Sequence, residues 1–132
     1  MGVRRAVDIA LRPSGTAGAV YTLGPLIHNT RVLRELKRRG VGCLNENEIS
    51  RLPIGSTVII RAHGISPLVE TELQKKGHNV LDATCPRVKL SQSKAKDFAE
   101  RGYVVFLAGE ENHAEIEGIR GFVDGKTRCF VV

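Results

Sequence analysis

Short apolar runs alternate with amphipathic stretches from one end of the chain to the other. Residues 2–12 place Val3, Ala6, Val7 and Ala10 on one stripe at helical spacing. Residues 19–23 form an apolar run closed by Gly24-Pro25 and read as a buried strand. Residues 30–39 read as a second helix, with Val32, Leu33 and Leu36 on one side, Arg31, Arg34 and Arg38 on the other, and Gly40 as its stop. A short strand at 41–44, a helical turn at 46–50 and a β-branched strand at 57–60 follow. Ser66 and Pro67 supply an N-cap and first helical residue for a third helix, whose apolar side is Leu68, Val69 and Leu73. Residues 79–81 predict a buried strand, and residues 86–100 a helix that buries Val88, Ala95, Phe98 and Ala99. Residues 103–107 form the most apolar strand, and 127–132 the last one. Strands alternating with helices throughout predict an α/β fold with parallel strands.

Composition sets bounds on this picture. At 132 residues, 42% of them hydrophobic and 26% charged, the chain suits one domain or one domain and part of a second. No apolar run approaches the ~18 residues of a membrane span, and the N-terminus lacks the apolar core of a signal peptide, so a cytoplasmic location is expected. Three cysteines without CxxC spacing argue against a disulfide framework and against a zinc ribbon. Cys43 and Cys129 fall inside apolar strand runs and read as core. The net charge of +6 belongs wholly to residues 1–40, where eight Lys and Arg face only Asp8 and Glu35. A solvated helix face accounts for that excess; an anionic ligand or a nucleic acid is the competing reading.

Chemistry collects where parallel strands end, because helix N-termini and loops converge there. His28 follows the first strand, His63 follows residues 57–60, Cys85 follows residues 79–81, and His113 follows residues 103–107. His78 sits at a strand entrance and reads as a surface residue. A cysteine between a strand and a helix meets unpaired N–H groups and the positive end of the helix dipole, which favour thiolate. Zinc binding by Cys85 and the three histidines has only long, non-local spacings in its favour, whereas imidazoles near helix N-termini also suit a diphosphate. Glu115 reads either as a proton donor or as one solvated carboxylate among Glu110, Glu111 and Glu117. Neither a P-loop nor GxGxxG occurs.

Taken in order, Gly2-Val3-Arg4-Arg5-Ala6-Val7, Gly24-Pro25-Leu26-Ile27-His28-Asn29, Arg61-Ala62-His63-Gly64, Asp82-Ala83-Thr84-Cys85-Pro86 and His113-Ala114-Glu115-Ile116-Glu117-Gly118 resemble the 4-hydroxy-3-methylbut-2-enyl diphosphate reductase (IspH/LytB) family. The resemblance implies an iron–sulfur oxidoreductase of isoprenoid biosynthesis by the methylerythritol phosphate route. Such an enzyme removes the allylic hydroxyl of its diphosphate substrate with two electrons and two protons, drawing on a donor such as ferredoxin or flavodoxin. It implies three α/β lobes around a [4Fe–4S] cluster, each lobe giving one cysteine. Cys85 then resembles the middle cluster ligand, His28, His63 and His113 the residues lining the diphosphate pocket, and Glu115 the carboxylate that relays protons. Residues 1–84 would be the first lobe without its first strand, and residues 85–132 part of the second, with the third lobe absent. The family pattern before Gly2 is Gly-Phe-Cys-x-Gly, which places the first ligand one residue upstream of Met1. Ala114 stands where the family usually has proline. The expectation is therefore a truncated reductase, inactive alone, with a non-catalytic diphosphate- or anion-binding α/β module as the alternative, and with neither a nucleic acid nor a membrane as partner.

Overall fold

The structure is a computed structural model and describes residues 2–12, 18–27 and 29–132. The first helix, α1, spans Gly2–Leu11, and a four-stranded parallel sheet follows, built from β1 (Val20–Leu23), β2 (Val41–Leu44), β3 (Thr57–Ile60) and β4 (Asn79–Asp82) in the order β2-β1-β3-β4. Between these strands run α2 (Thr30–Arg38), a 3-10 helix at Glu46–Arg51, and α3 (Pro67–Lys75). The chain continues through α4 (Pro86–Glu100), β5 (Val105–Leu107), α5 (Ala114–Val123) and β6 (Cys129–Val131); β5 and β6 pair in parallel as a separate two-stranded sheet. This is the expected α/β arrangement of parallel strands and intervening helices. No helix among the described residues is long and apolar enough to cross a membrane.

Strand β3 shows why the first sheet is stable where it is. Its neighbours on both sides are strands, and Val58, Ile59 and Ile60 are all buried. A strand covered on both faces reads as a continuous apolar run rather than an alternating one. The two-residue period sends Ile59 to one face, among Ala6, Ala10, Leu26 and Leu36, and sends Val58 and Ile60 to the other, among Ile49, Leu52, Ile65 and Leu73. Helices α1 and α2 thus cover one side of the sheet, and the 3-10 helix and α3 the other. A third core joins Ala95 and Ala99 of α4 to Val105, Ile119 and Val123.

Side-chain caps open α2 and α3, and the one at Ser66 falls where the sequence predicts it. Asn29 accepts hydrogen bonds from the Arg31 and Val32 N–H groups at the head of α2, and Ser66 accepts from Val69 N–H at the head of α3. The basic face of α2 is solvated, with Glu35 clamped by Arg38 at 3.0 Å and Arg39 at 2.8 Å.

Burial departs from the expected pattern at six places. Leu68 is 81% exposed, because α3 docks through Val69 and Leu73, one turn apart, and Leu68 points away from that line. Phe98 is also exposed, since α4 buries Val88, Gln92, Ala95 and Ala99 instead, a stripe with steps of four, three and four residues. His78 is buried rather than at the surface: after Gly77 the chain turns back, His78 N–H bonds to the Leu73 carbonyl at 3.2 Å, and the ring enters the fold with Nδ1 unpaired among the described residues. Cys43 is exposed because β2 is an edge strand. Strand β4, the other edge, is half-buried, and Cys129 is half-buried with its thiol pushed up by burial. The exposed side of the small sheet carries Phe106 and Phe130, stacked with ring centroids 5.5 Å apart.

Candidate functional site

Parallel register brings the exits of the first sheet to one level. Leu23 faces Ile60 and Ile60 faces Asp82, so the chain leaves β1, β3 and β4 side by side. Hydrogen bonding continues past the strands: Ala62 N–H reaches the Leu26 carbonyl at 3.5 Å, Ala83 N–H the Ile60 carbonyl at 3.1 Å, and Cys85 N–H the Ala62 carbonyl at 2.9 Å. Cys85 is thereby tied through its backbone to the residue before His63.

The approach to Cys85 is held from three directions. Asp82 accepts from Thr84 N–H at 2.9 Å, an Asx turn that bends the chain out of β4, and also pairs with Lys89 in the first turns of α4. Burial presses the Asp82 carboxyl upward, but the hydrogen bonds from Lys89 and Thr84 outweigh it, and the group sits below its ordinary value. Arg5 of α1 donates to the Thr84 carbonyl at 3.0 Å. Cys85 itself is the half-buried N-cap of α4, with Pro86 at the first helical position and its side chain not used as a cap acceptor.

His63 stands on a turn closed by the Gly64 N–H bond to the Arg61 carbonyl at 3.0 Å. Gly64 has φ +78°, and a methyl group there would lie 2.5 Å from Gln92 Nε2 and 3.2 Å from Thr84 Cγ2, so neither conformation nor space admits a side chain. Arg61 braces the turn from below, donating to the Gly64 carbonyl at 3.3 Å and to Glu46 at 3.2 Å.

His113 arrives from the second sheet as the N-cap of α5. Its Nδ1 accepts from Glu115 N–H at 3.2 Å, which leaves Nε2 to carry the ring proton of the neutral imidazole. The His63 and His113 rings meet edge to face, with centroids 5.4 Å apart and an interplanar angle of 85°. Glu115 is half-buried in the first turn of α5 beside Glu117. His28 lies outside the described residues.

Helix α5 packs closely along the segment that follows His63, and the approach is tightest at Gly121. A methyl group on Gly118 would lie 3.5 Å from the His63 carbonyl oxygen, and one on Gly121 only 2.5 Å from Ser66 Cβ. Gln92 is the side chain the sequence motifs do not include, and Arg61 enters them only beside His63. The signal for Gln92 was present: it is the one long polar residue at a position of the buried α4 stripe. Its Nε2 is buried and makes no hydrogen bond among the described residues, an arrangement that costs about 1–3 kcal/mol.

Two imidazoles in edge contact and a half-buried thiol on an adjacent turn can bind an anion through ring N–H donors and offer one sulfur ligand. Among the described residues no three His, Cys, Asp or Glu side chains are grouped to hold a metal ion. The residues present therefore do not by themselves fit a three-cysteine iron–sulfur cluster.

Fold and site together define an α/β protein of parallel sheets whose polar chemistry is gathered at the strand exits. The chain belongs to the LytB protein family, whose model matches residues 1–132. It is 44% identical to the 4-hydroxy-3-methylbut-2-enyl diphosphate reductase of Treponema pallidum (strain Nichols), over 92% of this chain and 37% of the relative. The Treponema denticola protein of the same name is 42% identical over 99% of this chain and 46% of its own length. A solved (E)-4-hydroxy-3-methyl-but-2-enyl diphosphate reductase matches with a TM-score of 0.88 at 42% identity, over 100% of this chain and 47% of its own. The E-1-hydroxy-2-methyl-but-2-enyl-4-diphosphate reductase of Plasmodium falciparum matches with a TM-score of 0.89 at 28% identity, over 97% of this chain and 40% of its own. The chain thus spans less than half the length of these relatives.

Proposed function

We propose that this chain carries one cysteine ligand and the imidazole-lined diphosphate site of a 4-hydroxy-3-methylbut-2-enyl diphosphate reductase, and that residues 1–132 alone do not turn over. In this reading residues 1–84 are the first lobe and residues 85–132 part of the second. The observation that carries it is the His63–His113 edge pair, held at 5.4 Å beside the turn that anchors Cys85. His63 and His113, together with His28, bind the diphosphate oxygens. His113 does so through Nε2–H, because Glu115 N–H occupies Nδ1. Glu115, in the first turn of α5, passes the proton that the departing hydroxyl takes up. Cys85 would give one sulfur ligand to an iron–sulfur cluster, and such a cluster would supply the two electrons. Its remaining ligands and the electron donor, such as ferredoxin or flavodoxin, belong to the assembled enzyme.

A second reading is a diphosphate-binding module without redox chemistry, and it draws support from the finding that, among the described residues, no three His, Cys, Asp or Glu side chains are grouped to hold a metal ion. Anaerobic iron–sulfur reconstitution of the isolated chain, followed by calorimetric titration with inorganic pyrophosphate, tests both. The expected result is pyrophosphate binding that disappears in His63→Ala, with neither a stable cluster spectrum nor turnover. A stable [4Fe–4S] signal with turnover from the isolated chain would refute the claim of inactivity, and unchanged pyrophosphate binding in His63→Ala would refute the site.

A further inference from the structure

Gln92 lies seven residues beyond Cys85 on α4, two helical turns on and so on the same face. It is 6% exposed. Its Nε2 packs against two glycines beside the site: the methyl position of Gly64 is 2.5 Å from it, and that of Gly118 is 3.6 Å from it. Gly64 follows His63, and Gly118 belongs to the helix capped by His113 and carrying Glu115. A single side chain therefore touches the His63 turn and the His113 helix while standing on the Cys85 helix. No other long polar side chain is buried on that stripe, where Val88, Ala95 and Ala99 are apolar. The His63 carbonyl oxygen, 3.5 Å from the Gly118 methyl position, lies near the same point of α5 as the Gln92 amide nitrogen, which has no hydrogen-bond partner among the described residues.

We propose that Gln92 is a positioning residue of the diphosphate site: its amide spaces the His63 turn from α5, and its free N–H pairs with the His63 carbonyl when the two imidazoles take up an anion. This rests on the reading of His63 and His113 as diphosphate ligands. A buried donor with no partner in the free chain weakens the fold, and one that gains a partner on binding strengthens the complex. Stability and affinity should therefore respond in opposite directions when the donor is removed.

The test uses the 132-residue chain, inorganic pyrophosphate as the probe, and Gln92→Leu, with the unbranched Gln92→Met as a second variant if the first does not fold. Without the donor, the melting temperature of the free chain is expected to stay level or rise, while pyrophosphate affinity falls roughly tenfold, the worth of one hydrogen bond. Gln92→Glu, which sets an acceptor against the His63 carbonyl, should bind more weakly still. Affinity within twofold of wild type in the apolar variants, with wild type binding normally, would overturn the role of Gln92 alone. A fall in affinity matched by a fall in melting temperature would reduce Gln92 to a packing residue and overturn it equally. Absence of pyrophosphate binding by the wild type would instead overturn the site reading, and this inference with it.

Discussion

The two glycines of α5 give a prediction whose sign differs at positions three residues apart. Both are helical, and replacing a mid-helix glycine with alanine removes a backbone-entropy cost of roughly 0.5–1 kcal/mol. At Gly118 the new methyl group meets nothing closer than the His63 carbonyl oxygen at 3.5 Å, an ordinary contact. Gly118→Ala should therefore stabilise the chain by about 0.5–1 kcal/mol. At Gly121 the methyl group would lie 2.5 Å from Ser66 Cβ, 3.2 Å from Ser66 Cα and 3.3 Å from Pro67 Cδ. These are stiff neighbours, the N-cap and first residue of α3, so helix α5 must move away. Overpacking of that kind costs about 1–3 kcal/mol, so Gly121→Ala should be destabilising by up to about 2 kcal/mol after the helix gain is subtracted. At roughly 4 °C per kcal/mol for a chain of this size, the two variants should melt on opposite sides of wild type. Circular dichroism melts and urea titrations at one protein concentration measure the difference. Gly121→Ala should also weaken pyrophosphate binding, because α5 carries His113 to His63. Equal shifts in the two variants, or Gly121→Ala more stable than Gly118→Ala, would refute the close packing of α5 on the His63–Pro67 segment.

Two further predictions follow from the caps and the charges. His113→Ala removes the acceptor for Glu115 N–H and should cost about 1 kcal/mol; His113→Asp should restore that stability by capping α5 again yet still fail to bind pyrophosphate, a split that calorimetry and melting together can read. Asp82 is held below its ordinary value of 3.8 and Glu35 is lowered to about 2 by Arg38 and Arg39. Both contribute stability that is present above the unfolded carboxylate range and is lost as pH falls through the folded values, so urea midpoints should drop from about pH 4.5 towards pH 2. Asp82→Asn should flatten part of that acid limb, and an equally steep fall in the variant would contradict the Lys89–Thr84 clamp.

Much of the framework was legible because its signals are local. The β-branched run at Thr57–Ile60 and the Ser66-Pro67 start of α3 each fix a conformation through a residue's own chemistry. The strand exits were legible too, and with them the placement of His63, Cys85 and His113. Periodicity marks which residues share a stripe but not which neighbour covers it. Leu68 and Phe98 lie beside the docking lines of their helices and stay in solvent, while His78 is carried inside by the turn after Gly77. The meeting of His63 with His113 depends on the contact between α5 and the turn after β3, which brings together residues fifty positions apart. Gln92 was visible as a polar interruption of an apolar stripe, but only the geometry shows that the interruption faces Gly64 and Gly118.

The central claim is that this chain holds the cysteine, imidazole and carboxylate groups of a diphosphate reductase. Its most direct test is a chimera in which residues 1–132 replace the matching stretch of the Treponema denticola reductase, which is 42% identical to them. Reductase turnover and the iron–sulfur spectrum should both survive the exchange. Cys85→Ser in the chimera should abolish the spectrum and the turnover, while Glu115→Gln should keep the spectrum and lose turnover. Wild-type turnover in the Cys85→Ser chimera would contradict the account.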